Sequence, residues 1–139
     1  MSHPRADEIR ANLERADETL EAARLLLREG FYDSAASRAY YAAFYAVTAA
    51  LLHEGEAFRS HSGVVGAFHR VFVRTGRLDA THGKALNRLF ELRAIGDYGE
   101  RLHVPAREAA QAVADAATLI EHVRRLLGAA TGDEQHDDR

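Results

Sequence analysis

The stretch that decides the fold is "SRAYYAAFYAVTAALLHE", residues 37–54. Its aromatic and large aliphatic residues recur at steps of three and four, which places them along one face of a helix. Its many alanines let a neighbouring helix come close. The uncharged run within it, residues 39–52, is too short for a membrane span, which needs about 20 residues. We therefore predict a long, buried helix here.

The chain on both sides of this stretch has the same helical period, and no segment alternates convincingly like a strand. Glycines that can end a helix are followed by side chains that can cap the next one, and Pro105 suits the first turn of the last helix. The predicted stops are Gly30, Gly55 and Gly76, and the predicted caps are Asp33 or Ser34, Ser60 or Ser62, and Asp79. These signals predict an all-α bundle of four long helices and a shorter one.

Length and composition indicate a single domain. The 139 residues suit one domain, and 47% hydrophobic with 28% charged residues is the balance of a globular chain. We expect a helical domain over residues 1–128 and a polar, disordered tail over residues 129–139. The absence of cysteine excludes disulfides and thiolate chemistry. The first residues lack the apolar core of a signal peptide, so we expect a cytoplasmic protein.

Charge is unevenly distributed along the chain. The formal net charge is −3, yet residues 59–88 hold six basic residues against Asp79 alone. A basic middle between acidic flanks is typical either of a surface that faces RNA or nucleotide, or of an ordinary solvated helix face. Charge by itself does not separate these two interpretations.

The second informative stretch is "LFELRAIGDYGE", residues 89–100. Arg93 and Asp97 stand four apart and so share a helix face, and Tyr98 follows at once. They form either a simple ion pair worth about 0.2–0.5 kcal/mol or part of a site. Arg93 can hold a phosphate with its fork of N–H donors. Asp97 beside an arginine and Tyr98 with its high intrinsic pKa are both poor bases, so the local chemistry favours binding over turnover.

Three pieces in this order resemble the HEPN domain: "SRAYYAAFYA" at 37–46, "FRSHSGVVGAFHRVFVRTGRLD" at 58–79, and "LFELRAIGDYGE". The resemblance covers roughly residues 5–127. It implies an antiparallel four-to-five-helix bundle, a homodimer, and a minimal nucleotidyltransferase as partner in a toxin–antitoxin-like pair. Active members are metal-independent ribonucleases that use an Arg, four to six further residues and a His, with two copies forming one cleft.

This chain departs from that motif. Arg93 matches its arginine, but the spacings allowed for the histidine end at Tyr98 and Glu100, and His103 lies too far along. The resemblance therefore implies a homodimer that binds nucleotide or RNA beside its nucleotidyltransferase. The alternatives are a ribonuclease with a substituted acid or base, Tyr98 or His61, and a purely structural dimer that holds its partner. In a further variant, Tyr98 accepts an adenylyl group from that partner.

Candidate site residues follow from these interpretations. Catalytic roles are assigned to Arg93, Asp97 and Tyr98, and nucleotide or RNA contacts to Arg38, Arg59, His61, Arg93 and Tyr98. His61 either caps a helix or faces the cleft, and the family topology suggests that Arg38 reaches Asp97 or Glu91. The cluster of Tyr40, Tyr41 and Tyr45 serves either the core and dimer interface or base stacking. The eight histidines show no metal-ligand spacing, so we predict neither metal nor cofactor.

Overall fold

The structure of the chain, a computed structural model, describes residues 3–137, with side chains for residues 3–128. Its helices are α1 (Ala6–Arg28), α2 (Tyr32–His53), α3 (His61–Phe68), α4 (Ala80–Tyr98) and α5 (Ala106–Asp137). A π-helical turn, His69–Val73, continues α3. Residues 3–137 contain no strand. The predicted all-α bundle of four long helices and a shorter one is confirmed.

Helix α2 lies at the centre of the bundle, where α1, α3, α4 and α5 all pack against it. Tyr40 is fully buried, and the alanines of this helix have no exposed surface. The buried alanines are Ala35, Ala36, Ala39, Ala42, Ala43, Ala46, Ala49 and Ala50. Because the side chain at each of these positions is only a methyl group, neighbouring helices can approach α2 closely there. The prediction of a long, buried helix from residues 37–54 is confirmed.

Helix ends follow the predicted signals at most positions. Gly30, Gly55 and Gly76 adopt φ values of 83°, 82° and 77°, the left-handed conformation in which glycine ends a helix without strain. The Ser60 hydroxyl accepts a hydrogen bond from the Gly63 N–H (3.0 Å), and the Asp79 carboxylate accepts one from the Thr81 N–H (2.9 Å). Ser60 and Asp79 therefore cap α3 and α4, as predicted.

The start of α2 differs from the prediction. The helix begins at Tyr32, so Asp33 and Ser34 lie inside its first turn and neither is the cap. The Asp33 carboxylate instead accepts a hydrogen bond from the Val104 N–H (2.7 Å) and contacts His103 Nδ1 (2.7 Å). Partial burial opposes ionisation, but the hydrogen bonds from His103 and Val104 hold the pKa of Asp33 below its ordinary value. Asp33 thus ties the segment before α5 to α2.

The last turn of α4 approaches the first turn of α2 at Gly96. A Cβ atom at Gly96 would lie 2.4 Å from the backbone oxygen of Asp33. Only glycine leaves room for this contact, and it brings the C-terminal end of α4 against the N-terminal half of α2. The two helices are therefore antiparallel at the position where Arg93 and Asp97 occur.

Two expectations about the chain as a whole have different outcomes. Within the described part of the chain, no helix is both long and apolar enough to cross a membrane. Helix α5 runs through residue 137, so the backbone is helical over most of the predicted disordered tail, residues 129–139, whose side chains the structure does not describe.

Candidate functional site

Arg93 lies on α4 against an aromatic wall. Its Cζ atom is 4.8 Å from the ring centroid of Phe90 and 5.7 Å from that of Tyr40. Its side chain is only 17% exposed, and its buried Nε–H has no hydrogen-bond partner among the described residues. Nη1 is 3.7 Å from Asp97 Oδ2, which is ion-pair distance but too long for a good hydrogen bond. A half-buried guanidinium with incompletely satisfied donors can take up a phosphate.

Asp97 is held in place by α2. Ser37 Oγ donates a hydrogen bond to its Oδ1, and the Tyr41 hydroxyl donates one to its Oδ2 (3.2 Å). Burial and the negative charge of Asp97 raise the pKa of Tyr41, while Arg93 partly opposes the rise. Both carboxylate oxygens of Asp97 are thus engaged by hydroxyl groups. We interpret Asp97 as a positioning residue for Arg93.

His61, the first residue of α3, completes the cluster. Its ring stacks on Phe44 (centroids 4.6 Å apart) and lies nearly parallel to Phe90 (6.4 Å). Burial and the positive charge of Arg93 lower the pKa of His61, with Asp97 partly opposing, so its imidazole is neutral at pH 7. The interpretation of His61 as the helix cap is wrong, because the capping oxygen belongs to Ser60.

The hydrogen bond between Tyr40 and His61 sets the tautomer of the imidazole. The Tyr40 hydroxyl lies 2.8 Å from His61 Nδ1, and this nitrogen is its one acceptor within the described residues. Burial raises the pKa of Tyr40, so the hydroxyl keeps its proton. Tyr40 therefore donates to Nδ1, and the neutral imidazole carries its own proton on Nε2. His61 and Arg93, both packed on Tyr40 and Phe90, each supply N–H donors.

The family of the chain follows from its match to a model of the HEPN domain over residues 9–126. The chain belongs to the HEPN family. The resemblance drawn from the sequence motifs is thereby confirmed.

Individual HEPN-family relatives cover most of the chain. A "UPF0332 protein" of Thermotoga maritima is 42% identical over 113 residues, which are 81% of this chain and 86% of the relative. A Methanocaldococcus jannaschii protein named "Putative toxin MJ0605" is 31% identical over 122 residues, 87% of this chain and 90% of the relative. The crystal structure of TT1696 from Thermus thermophilus superposes with a TM-score of 0.71 at 20% identity, covering 85% and 97% of the two chains. This last likeness concerns the fold alone.

The remaining predicted site residues lie at different places in the HEPN bundle. Arg38 stacks on the ring of Tyr41 (4.6 Å) instead of pairing with Asp97 or Glu91. The Tyr98 side chain is 75% exposed and borders a shallow cavity with Leu102, apart from the aromatic wall of Arg93. Arg59 is exposed and forms no ion pair with a described residue. The structure therefore groups His61, Arg93 and Asp97, with Arg38 at the edge, and leaves Arg59 and Tyr98 outside.

The cluster around Arg93 in this HEPN chain also contains residues for which the sequence suggested no site role. Ser37 binds Asp97, and Phe44 and Phe90 form the wall behind His61 and Arg93. The signal for Ser37 is its place on α2, four residues before Tyr41 and three before Tyr40, where a polar residue interrupts an apolar helix. Phe44 and Phe90 carry the period of core residues and nothing that marks a site.

The basic segment 59–88 of this HEPN chain is partly neutralised in three dimensions. Acidic residues from outside the segment pair with three of its six basic residues. The ion pairs are Arg70 with Glu56, Arg77 with Glu54, and Arg88 with Glu91 and Glu108. Among residues 3–128, no group of three or more metal-binding side chains comes together. The cluster around Arg93 is therefore better suited to an anion than the segment of highest charge in the sequence.

Proposed function

We propose that this HEPN protein is a cytoplasmic homodimer that binds RNA or nucleotide through Arg93, as one component of a toxin–antitoxin-like pair with a minimal nucleotidyltransferase. The observation that carries the proposal is the meeting of Arg93 and His61 on a shared aromatic wall. The names of two Methanocaldococcus jannaschii relatives, "Putative toxin MJ0142" and "Putative toxin MJ0605", support the toxin context.

Phosphate is the ligand chemistry that suits Arg93. Its Nε–H lacks a partner among the described residues, and its ion pair with Asp97 is long. The hydroxyl groups of Ser37 and Tyr41 compete for the oxygens of Asp97, so that carboxylate does not satisfy the guanidinium. A phosphate that reached the exposed part of the Arg93 side chain would accept from its N–H groups, which the long ion pair with Asp97 leaves incompletely satisfied. The aromatic wall lowers the local dielectric and strengthens such a contact.

The tautomer of His61 favours binding over cleavage. A general base for attack by a 2′-hydroxyl needs a nitrogen free of its proton. Nδ1 of His61 receives the Tyr40 proton and Nε2 carries its own, so the neutral ring has no free lone pair to offer. The same Nε2–H is a suitable second donor for a phosphate oxygen. His61 and Arg93 then form a two-sided clamp.

The homodimer in this proposal places a second copy next to Arg93. Support comes from α2, where Phe44 and Thr48, one helical turn apart, form a stripe that the bundle leaves half-exposed. The Thr48 hydroxyl on this stripe is buried without a hydrogen-bond partner among the described residues. A second copy seated here would cover the stripe and bring the two Arg93 residues towards one groove.

The experiment that tests the proposal compares Arg93→Ala, Arg93→Lys and wild type. Binding of ATP and of a short fluorescent RNA is measured by titration, with thermal melting to confirm folding. We expect Arg93→Ala to weaken binding at least about tenfold, because a charge-assisted hydrogen bond contributes about 1.5–3 kcal/mol. Arg93→Lys should recover part of the affinity, since it keeps the charge but loses the fork.

The control for that experiment is Arg59→Ala, which removes an exposed arginine outside the cluster. Its affinity should stay close to that of wild type. Equal weak binding by wild type and Arg93→Ala would contradict the proposal and leave a dimer that only holds its partner.

A ribonuclease toxin is the second candidate function. The observation that favours it is the imidazole of His61 beside Arg93, since the HEPN motif position for histidine holds no histidine in this chain. Cleavage would require His61 to hold its proton on Nδ1 and free Nε2 as the base. Inducing the chain alone and following RNA integrity tests this function. RNA loss in wild type and in Tyr40→Phe, but not in His61→Gln or Arg93→Ala, is the result that supports cleavage.

A further inference from the structure

A second charged surface lies beside the Arg93 cluster, in a groove between α1 and α2. The groove encloses about 550 Å³ and is open to solvent. We call it the α1–α2 groove and define it by Glu14, Arg15, Glu18, Arg38 and Tyr45. Nothing in the family match explains why two arginines line it.

Both arginines of the α1–α2 groove rest on tyrosine rings. Arg15 lies over Tyr45, with 5.3 Å from Cζ to the ring centroid, and Arg38 lies over Tyr41 at 4.6 Å. Neither forms an ion pair with a residue of the described part of the chain, although Glu14 lines the same groove. A guanidinium that stacks through its face keeps its N–H groups at the edge, where they can bind an anion.

Side-chain contacts link the α1–α2 groove to the Arg93 cluster. Tyr41 carries Arg38 against its ring, and its hydroxyl donates to Asp97 Oδ2 at 3.2 Å. Asp97 in turn pairs with Arg93. Two side chains, Tyr41 and Asp97, therefore connect Arg38 to the proposed phosphate clamp, and Tyr45 lies one helical turn beyond Tyr41.

From this geometry we propose that the α1–α2 groove is a second subsite, which binds backbone phosphates of the same single RNA strand that Arg93 holds. The inference rests on the proposed function of Arg93 and names its substrate as a strand of several nucleotides, not a mononucleotide. Arg38 takes the phosphate nearest to Arg93, and Arg15 takes one further along. Glu14 and Glu18, on the same α1 wall as Arg15, repel phosphate and so lower the affinity for the strand.

A second copy of this chain is the competing occupant. Across a two-fold axis, Arg15 or Arg38 of one copy could meet Glu14 or Glu18 of the other. The contacts that link Arg38 through Tyr41 and Asp97 to Arg93 favour the RNA strand. The two occupants make opposite predictions for the glutamates, because removing a negative charge helps RNA and harms a pairing between copies.

The test measures how Arg15→Gln/Arg38→Gln affects binding of uridine monophosphate and of a uridine dodecanucleotide. We expect unchanged affinity for the mononucleotide and a several-fold loss for the dodecanucleotide. The slope of log affinity against log salt should fall by about 1.4, since each lost single-strand phosphate contact accounts for about 0.7. Arg15→Lys/Arg38→Lys should retain the slope. The control Arg59→Gln/Arg74→Gln removes the same charge from arginines outside the groove and should change neither ligand.

The outcomes separate this inference from the proposed function. Loss of mononucleotide binding in Arg93→Ala, with an unchanged dodecanucleotide slope in Arg15→Gln/Arg38→Gln, would overturn the groove alone. Unchanged mononucleotide binding in Arg93→Ala would overturn the clamp. Glu14→Gln/Glu18→Gln should strengthen dodecanucleotide binding. If that variant instead lowers the dimer fraction in sedimentation equilibrium and leaves RNA affinity unchanged, the groove is an interface between copies, and the inference is wrong.

Discussion

Two histidines of this bundle, His61 and His82, both have lowered pKa values, but the groups around them differ. Burial lowers the pKa of both, and a second basic group nearby adds to the effect. Beside His61 that group is Arg93. Beside His82 it is His122, whose ring lies 4.4 Å away across the packing of α4 and α5.

The two histidines differ in the hydrogen-bonding groups that lie beside them. His82 is buried against a neighbour whose Nδ1–H is already donated to the Thr118 carbonyl oxygen (2.9 Å). His61 is half-buried, has its Nδ1 occupied by Tyr40, and shares its aromatic wall with Arg93, whose Nε–H has no partner among the described residues. A lowered histidine pKa therefore does not identify a binding site by itself. The unsatisfied Nε–H of Arg93 is the feature that distinguishes the surroundings of His61 from those of His82.

The largest effect that separates the two regions should come from Gly96→Ala. The added methyl group would lie 2.4 Å from the backbone oxygen of Asp33, which cannot move without displacing α2. We expect the free energy of unfolding to fall by about 2–3 kcal/mol. In NMR spectra the ring signals of His61 should shift, and those of His82 should stay in place.

The matched control for Gly96→Ala is Gly66→Ala on α3. A Cβ atom at Gly66 meets nothing within 4 Å. Alanine is the better helix former, so this variant should gain about 0.5–1 kcal/mol. A stability for Gly96→Ala equal to that of wild type would show that the close approach of α4 to α2 does not hold the site together.

A smaller effect is expected from the two helix caps, which form a matched pair. Ser60 caps the helix that carries His61, and Asp79 caps the helix that carries His82. Ser60→Ala and Asp79→Ala should each cost about 1 kcal/mol of stability. Only Ser60→Ala should weaken RNA binding, because it loosens the first turn that positions His61. Equal loss of binding in both variants would mean that stability, and not the place of His61, controls affinity.

The smallest effect concerns proton binding. Because both pKa values are lowered, the unfolded chain binds protons more readily than the folded one. The stability that neutral His61 and His82 provide is thus present above about pH 6.5 and is lost as the pH falls below it. Adding RNA should raise the pKa of His61, since a phosphate favours the imidazolium form, and leave that of His82 unchanged.

The measurement for this last prediction is an NMR titration of both rings with and without RNA, with His82→Asn to assign the signals. If the pKa of His61 does not change when RNA is added, the phosphate does not bind next to α3. A parallel rise at His82 would indicate a change of the whole fold instead of local contact.

Much of the local structure could be predicted from the sequence because its causes are local. The caps at Ser60 and Asp79 and the glycine stops depend on residues only a few positions apart. The exception, Asp33, has ideal cap chemistry but lies opposite the Val104 N–H and His103, and these distant donors take its carboxylate. A strong local preference is overridden by a contact between residues about 70 positions apart.

The candidate site could be predicted only in part. Arg93 and Asp97 share a helix face by spacing alone, and the family motif singles out Arg93. His61 is ambiguous from the sequence, because the residues around it also fit a cap. Tyr98 stands next to Asp97 in the sequence, yet the helical rotation of one residue turns it towards solvent. Residues that are adjacent in sequence can therefore point in different directions on a helix.

The sequence by itself determined the helices, most of their ends, the burial of α2 and the face shared by Arg93 and Asp97, because the 3.6-residue period fixes neighbours within a helix. Only the tertiary structure decided that Ser37 meets Asp97 across 60 residues and that Tyr40 meets His61 across 21. Those contacts depend on how closely the helix axes approach, and that distance is set by Gly96 and the alanines of α2 together with every other packed side chain.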